Sequence, residues 1–428
     1  MGILSLLQSS RGEAYGVAGI SIPDRLKNLA PASLAATLIT VLAPSLVWAE
    51  AWELEPEFSI GGNYNTNFRL STTDPDEVGT GRVAGALKFS RLTESFELAG
   101  LARLDFVGFV GDTDRLSNTG NQLFGFESKK KFERSNIGLD ALWKRDTVLR
   151  SIRVVGDPDN PAIEPDQSVD DNIVNENIRR NAIDVRLPYK YDLTERDRLG
   201  ARLRFNTTLY EENDFLDDYR QGSLRLDYNH ELTEKDNIIA LFQTSRFDSD
   251  SGRTTDNYEL QAGYRYAFSE TTSAGFTAGG RYTVFDNPGS GDDGTNTGFV
   301  ARLQASKITG KARYDVRLER NLSPSGVGDL VETDELNANM SYQLQERWTF
   351  AIRSRLFENE NIDNPESGSN RRFFSLLPVL SYRFTPDWRV ETAYRYLRQK
   401  RFSEPTSADS HTVFLNVRWT KVTPIDTL

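Results

Sequence analysis

The chain has 428 residues, a formal net charge of −11, no cysteine, two histidines and 38% apolar residues. After residue 50 it contains no run of about 20 apolar residues, the length a membrane-crossing helix needs, so a helical membrane protein is excluded. The acid excess disfavours nucleic-acid binding, and the lack of cysteine excludes a lipoprotein, whereas low hydropathy is compatible with a transmembrane β-barrel, in which only alternate residues face lipid.

Residues 1–49 read as an export signal. Arg25 and Lys27 precede the apolar run Ala32 to Leu42, and Val47-Trp48-Ala49 is a small-x-small cleavage site ahead of Glu50. The residues ahead of Arg25 form either a long n-region or the product of a misplaced start site. The processed chain carries 48 bases (51 less Arg11, Arg25 and Lys27) and 60 acids (62 less Glu13 and Asp24), a net charge of −12.

Residues 50–428 read as one all-β domain. The first strand is expected near Phe58 to Leu70, with Phe58, Ile60, Gly62 and Tyr64 on one face. The loop Ser71 to Gly79 leads to strands near Arg82–Ser90, Phe96–Val107, Gln122–Phe132 and Asn136–Val148. Lys129, Lys130 and Lys131 lie beside a short turn and read as solvated. The stretch Leu149 to Asn177 has three prolines and seven acids and breaks the spacing. Loops of that length are functional or disordered, so it reads as an external flap or as a plug folded into a pore.

Regular pairs follow. They run near Arg179–Leu193 with Asp197–Tyr210, Tyr219–Leu232 with Asn237–Phe247, and then Tyr258 to Val284. In this last hairpin Tyr258, Leu260, Ala262, Tyr264 and Tyr266 alternate with polar residues or glycine, and Ser269-Glu270-Thr271 makes the turn. Thr297–Ile308 with Lys311–Leu322, Thr333–Leu344 with Trp348–Phe357, and Arg372–Phe384 with Trp388–Arg401 come next, and His411–Trp419 closes the series.

Short turns centre on Glu94, Arg134, Glu195, Glu234, Glu270, Gly310, Glu346 and Pro386, with spacings of 39, 36, 40, 36 and 40 residues from Glu195 onward. A propeller blade packs four strands into a similar repeat, too short for these runs. Eight short turns alternating with long loops predict an antiparallel up-and-down transmembrane barrel of about 18 strands, with both ends on the short-turn side. Tyr191, Phe268, Tyr342, Trp348, Phe384 and Trp388 flank the short turns, as an aromatic girdle at a membrane interface would.

If the apolar face meets lipid, the other face lines the lumen. It gathers Arg202, Arg204, Arg225, Arg265, Arg281, Arg302, Arg313, Arg317, Arg353, Arg355, Arg389 and Arg395 as candidate pore-lining residues. Arg82, Lys88, Arg103, Lys144, Arg186, Lys190, Arg383 and Arg418 share that face. Against these 20 bases stand nine acids: Asp105, Glu127, Asp140, Asp184, Asp227, Glu259, Asp315, Glu319 and Glu391. A lumen near +11 (20 less 9) favours anions; the alternative is that Arg–Asp ladders fix strand register.

No enzyme, cofactor or metal site is expected. His230 falls near a short turn and His411 near a long loop, at opposite ends of the barrel. Gly289 to Gly294 reads as a turn. Asp248, Asp250 and Gly252 give a calcium-loop fragment that lacks its closing Glu.

The stretch WELEPEFSIGGNYNTNFRL resembles the opening of the outer-membrane barrels called β-barrel porin 2, through Trp52, Pro56, Tyr64, Asn65 and Asn67. Many members carry an acidic residue between the Tyr and the last Asn, where this chain has Asn65 and Thr66. The Thr-Glu-x-x turns at Glu195 and Glu234 are also similar. The resemblance implies a Gram-negative outer-membrane barrel associated with exopolysaccharide systems, with periplasmic export proteins and an anionic polysaccharide as partners. The expected function is therefore exopolysaccharide export through a basic lumen. A passive porin for small anionic solutes is the first alternative, and a surface scaffold or adhesin the second. Acidic outer loops are further expected to meet lipopolysaccharide through divalent ions.

Overall fold

The computed structural model describes residues 52–111, 118–148, 178–211, 216–286, 294–324, 330–361, 370–421 and 423–425. Alternating side chains give β1 (Trp52–Asn65), β2 (Val78–Leu92), β3 (Phe96–Gly111), β4 (Thr119–Lys131), β5 (Ser135–Thr147) and β6 (Arg179–Asp192). They continue as β7 (Asp197–Tyr210), β8 (Tyr219–Glu231), β9 (Asp236–Ser249), β10 (Thr254–Ser269), β11 (Thr272–Asp286) and β12 (Gly294–Ile308). Last come β13 (Ala312–Pro324), β14 (Leu330–Gln345), β15 (Trp348–Asn361), β16 (Arg371–Arg383), β17 (Trp388–Arg401), β18 (Ala408–Thr420) and the short β19 (Thr423–Ile425).

Each strand pairs antiparallel with its neighbours in chain order, and β1 pairs with both β2 and β18, from Glu57↔Thr420 to Asn65↔Thr412. The sheet is thus a closed barrel of 18 strands, which leaves no edge. β19 continues β18 beyond an interruption opposite Pro56. Proline has no N–H to donate; Lys421 N still reaches the Pro56 carbonyl at 3.2 Å, and pairing resumes at Leu54↔Thr423. The closing strand therefore does not stop at Trp419.

The eight short turns fall where the sequence places them, and threonine builds five of them. The hydroxyls of Thr93, Thr194, Thr233, Thr309 and Thr385 accept from the backbone N–H three residues on, at 2.9 to 3.2 Å. Such turns are the physical content of the repeated Thr-Glu-x-x pattern. The first strand is shifted from its expected span: it runs from Trp52 to Asn65 rather than from Phe58 to Leu70. It ends where the Asn65 side chain turns back to accept from Asn67 N at 2.8 Å, a local bond that competes with the ladder.

Outward-facing side chains are large, apolar and exposed all around the wall. Val110, Leu260, Phe106 and Leu415 are 74, 67, 64 and 57% exposed. Water does not tolerate so continuous an apolar band. At the short-turn end it is bordered by rings in contact, including Trp348 with Tyr382 at 4.6 Å, Tyr266 with Phe268 at 4.8 Å and Phe384 with Trp388 at 6.1 Å. An even-stranded closed barrel with this band and this alternation of short and long connections sits in the outer membrane, with its short turns in the periplasm.

One stretch of wall departs from regularity. β12 and β13 pair only from Ile308↔Arg313 up to Ala301↔Arg320. Above that point β12 runs on against β11 as far as Gly294, and β13 runs on against β14 as far as Pro324. The wall is unzipped there on the outer side.

The barrel interior as candidate functional site

Residues paired across strands share a face, so the register can be followed around the ring. The inner face is the polar one. Ser59, Thr283 and Asn359 are nearly inaccessible, whereas Ile60, on the other side of the same wall, is 52% exposed. All twelve arginines singled out as pore-lining fall on this face: Arg202 and Arg204 on β7, Arg225 on β8, Arg265 on β10, Arg281 on β11 and Arg302 on β12. Arg313 and Arg317 on β13, Arg353 and Arg355 on β15, and Arg389 and Arg395 on β17 complete the set.

Eleven of them divide by partner. Arg204 shares Asp184 with Arg186, at 2.5 and 2.9 Å. Arg302 meets Glu319 at 2.9 Å, Arg313 meets Asp315 at 2.7 Å, Arg355 meets Glu335 at 2.8 Å and Arg389 meets Glu391 at 3.9 Å. Arg281 reaches Glu332 at 2.5 Å, and Arg395 lies over the Phe414 ring. Arg204, Arg302 and Arg355 thus bridge to an adjacent strand, whereas Arg313 and Arg389 pair within their own strand. Arg202, Arg225, Arg265 and Arg317 differ: among the described residues none of them has a carboxylate within 4.0 Å. Arg202 and Arg225 stand directly opposite one another on β7 and β8, an arrangement that costs stability unless something negative comes between them.

The inner face is less basic than the sequence suggests. Its register adds eight acids: Glu53, Glu55, Glu57, Glu97, Asp146, Asp192, Glu231 and Glu335. It also adds six bases: Lys129, Lys131, Arg180, Arg198, Arg371 and Arg401. The balance becomes 26 against 17, or +9, instead of 20 against 9. Three of the added acids appear because β1 starts six residues earlier than expected. Glu55 and Glu57 there meet Lys88 of β2 at 2.9 and 3.7 Å.

The outer end is narrowed by two elements that sequence patterning did not single out. The first is the connection 66–77 between β1 and β2, which folds onto the inner face. Phe68 packs on Val78 and meets Phe109 edge-on at 5.8 Å, and Leu70 packs on Leu397 and Ala408. Asn67 holds the bend: its side-chain amide donates to the carbonyls of Ser71 and Asp409 at 2.9 and 3.0 Å, and its side-chain oxygen accepts from Ser71 N at 2.9 Å. The closely spaced asparagines at 65 and 67 were the available signal.

The second element is the top of the β13–β14 hairpin. Leu322, Leu330 and Glu332 have outward parity, yet Leu330 is buried in one cluster with Val148, Tyr210, Tyr219 and Phe247, and Leu322 packs against that cluster. Phe247 is an inner-face residue of β9. Glu332 likewise bonds Arg281 from the inner face of β11. Above the unzipped seam, the hairpin thus leans inward against the inner faces of β7, β8, β9 and β11. The guanidinium of Arg281 crosses β12 at Gly298, where a Cβ would lie 2.7 Å from its Nη2. Residues 149–177, expected as flap or plug, lie outside the described residues, as do residues 289–293.

Tyrosines matter for any glycan path, and only two of the described ones face inward, Tyr210 and Tyr219. Both are buried in the outer-end cluster. The others, including Tyr258, Tyr264, Tyr282 and Tyr394, face outward. His230 bonds Asp197 at 2.7 Å at the turn end, and His411 bonds the Tyr394 hydroxyl at 2.6 Å near the long-loop end.

No family model matches the chain, the β-barrel porin 2 type included, and no curated protein matches it. Solved structures similar to it include Acinetobacter baumannii OccAB4 (10% identity, 88% of this chain and 99% of that one, TM-score 0.46) and Pseudomonas aeruginosa OccK5 (12%, 88% and 99%, 0.44). The FrpB iron transporter of Neisseria meningitidis is another (8%, 90% and 83%, 0.48). The fold rests on this chain's own register, and that register defines an 18-stranded outer-membrane β-barrel.

Proposed function

We propose that the protein is an outer-membrane channel through which small anionic solutes diffuse, with the inner-face arginines lining the path. Barrels of 16 to 18 strands leave an aqueous bore. The observation that carries the reading is the set Arg202, Arg225, Arg265 and Arg317, inner-face cations with no carboxylate within 4.0 Å among the described residues. A cation already bonded to its ladder partner contributes little field, whereas one without a partner attracts a passing anion in a low-dielectric wall. Two apolar elements at the outer end set a size limit that suits small solutes.

Exopolysaccharide export, with periplasmic export proteins as partners, rests on the family resemblance alone. An inner face whose only described tyrosines are buried offers a sugar chain few rings to slide along. The test is reversal potential in a planar bilayer under a salt gradient. The wild type is expected to be anion-selective, and replacing Arg202, Arg225, Arg265 and Arg317 together by Gln is expected to move the potential toward zero. A cation-selective wild type, or a quadruple variant with unchanged selectivity, overturns the reading. Loss of surface acidic polysaccharide on deleting the gene, with uptake of small anions intact, favours export instead.

A further inference from the structure

The outer surface of β15 to β18 carries a second, independent feature at the long-loop end. Successive rows on this lipid-facing side can be read from the register. The topmost is Glu358↔Arg372↔Lys400, the next is Leu356↔Phe374↔Arg398↔Asp409, and below it lie Leu376, Tyr396 and His411. Cations therefore sit just above an apolar and aromatic surface, at the height where headgroups meet acyl chains. Arg372, Arg398 and Lys400 surround a groove of about 640 Å³, with Leu356 and Phe374 as its floor and Pro405 to Ser407 as its rim.

The charges in this groove are not balanced from within. Arg372 and Lys400 are directly opposite across β16 and β17, a like-charge pair that a sheet tolerates at a cost. Glu358 is engaged by Arg372 through both Nε and Nη2, at 2.8 and 2.6 Å. Asp409 is shared between the Tyr396 hydroxyl at 2.8 Å and Arg398 at 3.8 Å. Lys400 has no carboxylate within 4.0 Å among the described residues. Arg246, an outward cation at the same end, is by contrast paired with acids, Asp248 and Asp256.

We propose that this groove binds a phosphorylated, multiply acylated glycolipid of the outer leaflet, the lipid A portion of lipopolysaccharide. Arg372, Arg398 and Lys400 take a glycolipid phosphate, which relieves the like-charge opposition. Leu356 and Phe374 lie under the first acyl carbons. The ligand class follows from geometry: a free phosphate uses the cations but not the apolar floor, and a neutral lipid uses the floor but not the cations. The site is separate from the lumen, so its failure and the failure of the channel reading are distinguishable.

The experiment is native mass spectrometry of the purified barrel with bisphosphorylated lipid A, its dephosphorylated form, phosphatidylglycerol or inorganic phosphate. Lys400→Gln, at a cation with no carboxylate within 4.0 Å among the described residues, is expected to bind lipid A about fivefold more weakly, and the triple Arg372, Arg398 and Lys400→Gln variant about a hundredfold, at roughly 1 kcal/mol per interfacial cation. Arg246→Gln should bind as the wild type does, and dephosphorylated lipid A should bind poorly to all. Heat-modifiable electrophoretic mobility checks that each variant is folded. Wild-type affinity in a folded Lys400→Gln variant overturns the proposal. So does equal binding of phosphatidylglycerol, or displacement of lipid A by an equal concentration of inorganic phosphate.

Discussion

The inward lean of the β13–β14 hairpin is held by a charge cluster that one substitution can break. Glu332 accepts from Arg281 at 2.5 Å and meets Arg320 at 3.5 Å, while Arg320 is also bonded to Asp334. The Arg281 side chain is 2% exposed and that of Glu332 18%. Removing one partner of a buried pair costs about 3 to 5 kcal/mol, because the other charge is left stranded. Since Glu332 is partly open and Arg320 keeps Asp334, Glu332→Ala should fall at the lower end, about 3 kcal/mol. That weakens docking of the hairpin by roughly a hundredfold, and burial of Leu330, about 2 kcal/mol, remains to oppose release. Single-channel recording should show the variant alternating between the wild-type level and a higher conductance. Gly298→Val should act likewise, because its side chain takes the space that Arg281 crosses. If both variants conduct as the wild type does and unfold at the same denaturant concentration, the hairpin is not docked inward as described.

The connection 66–77 makes its own prediction. Asn67→Ala loses three side-chain hydrogen bonds of about 1 kcal/mol each, and Leu70→Ala loses a buried side chain worth about 2 to 5 kcal/mol. Limited proteolysis of intact vesicles should then cleave near residue 70 in either variant and spare the wild type. Glu211, just beyond β7, gives a pH signature. Hydrogen bonds from Arg145 at 2.8 Å and Asn181 at 2.6 Å hold its carboxyl below the ordinary value of 4.5, against a smaller opposing effect of burial. A depressed folded-state value contributes stability that is present above 4.5 and lost as pH falls through the folded value. The unfolding midpoint of Glu211→Gln should therefore lie below that of the wild type at neutral pH and converge on it in acid; a constant gap would refute the assignment.

Periodicity carried most of this fold. Alternation assigns a face to each residue wherever a strand is regular, so the arginines of β7 to β17 could be placed without coordinates. Turn spacing gave the strand number, because threonine hydroxyls fix the short turns locally. What stayed hidden lies at the ends of strands. Nothing in the alternation of Trp52 to Glu57 marks it as paired rather than as a leader, and three inward acids were missed with it. Asn65 and Asn67 stop β1 through side-chain bonds, one of which reaches the carbonyl of Asp409, more than 300 residues away. Leu322, Leu330 and Glu332 keep perfect alternation, and only the loss of pairing between β12 and β13 turns their outward face inward.

Selectivity and size limit therefore reside in different parts of the barrel and should separate under mutation. The cations with no carboxylate partner among the described residues lie well inside strands, five or so residues from a short turn in the case of Arg202, Arg225 and Arg317. The apolar contacts that narrow the path lie at the opposite, long-loop end, on Phe68, Leu70 and Leu330. A change in fixed charge alters which ions partition into the bore, because the field there falls off over about 8 Å at physiological salt. Release of an apolar constriction instead alters cross-section for either sign of ion. Glu332→Ala should thus raise conductance at nearly unchanged reversal potential, and the arginine quadruple variant should shift the potential with conductance of the same order. If either variant moved both quantities together, charge filter and constriction would have to be one structure, and the division drawn from the register would be wrong.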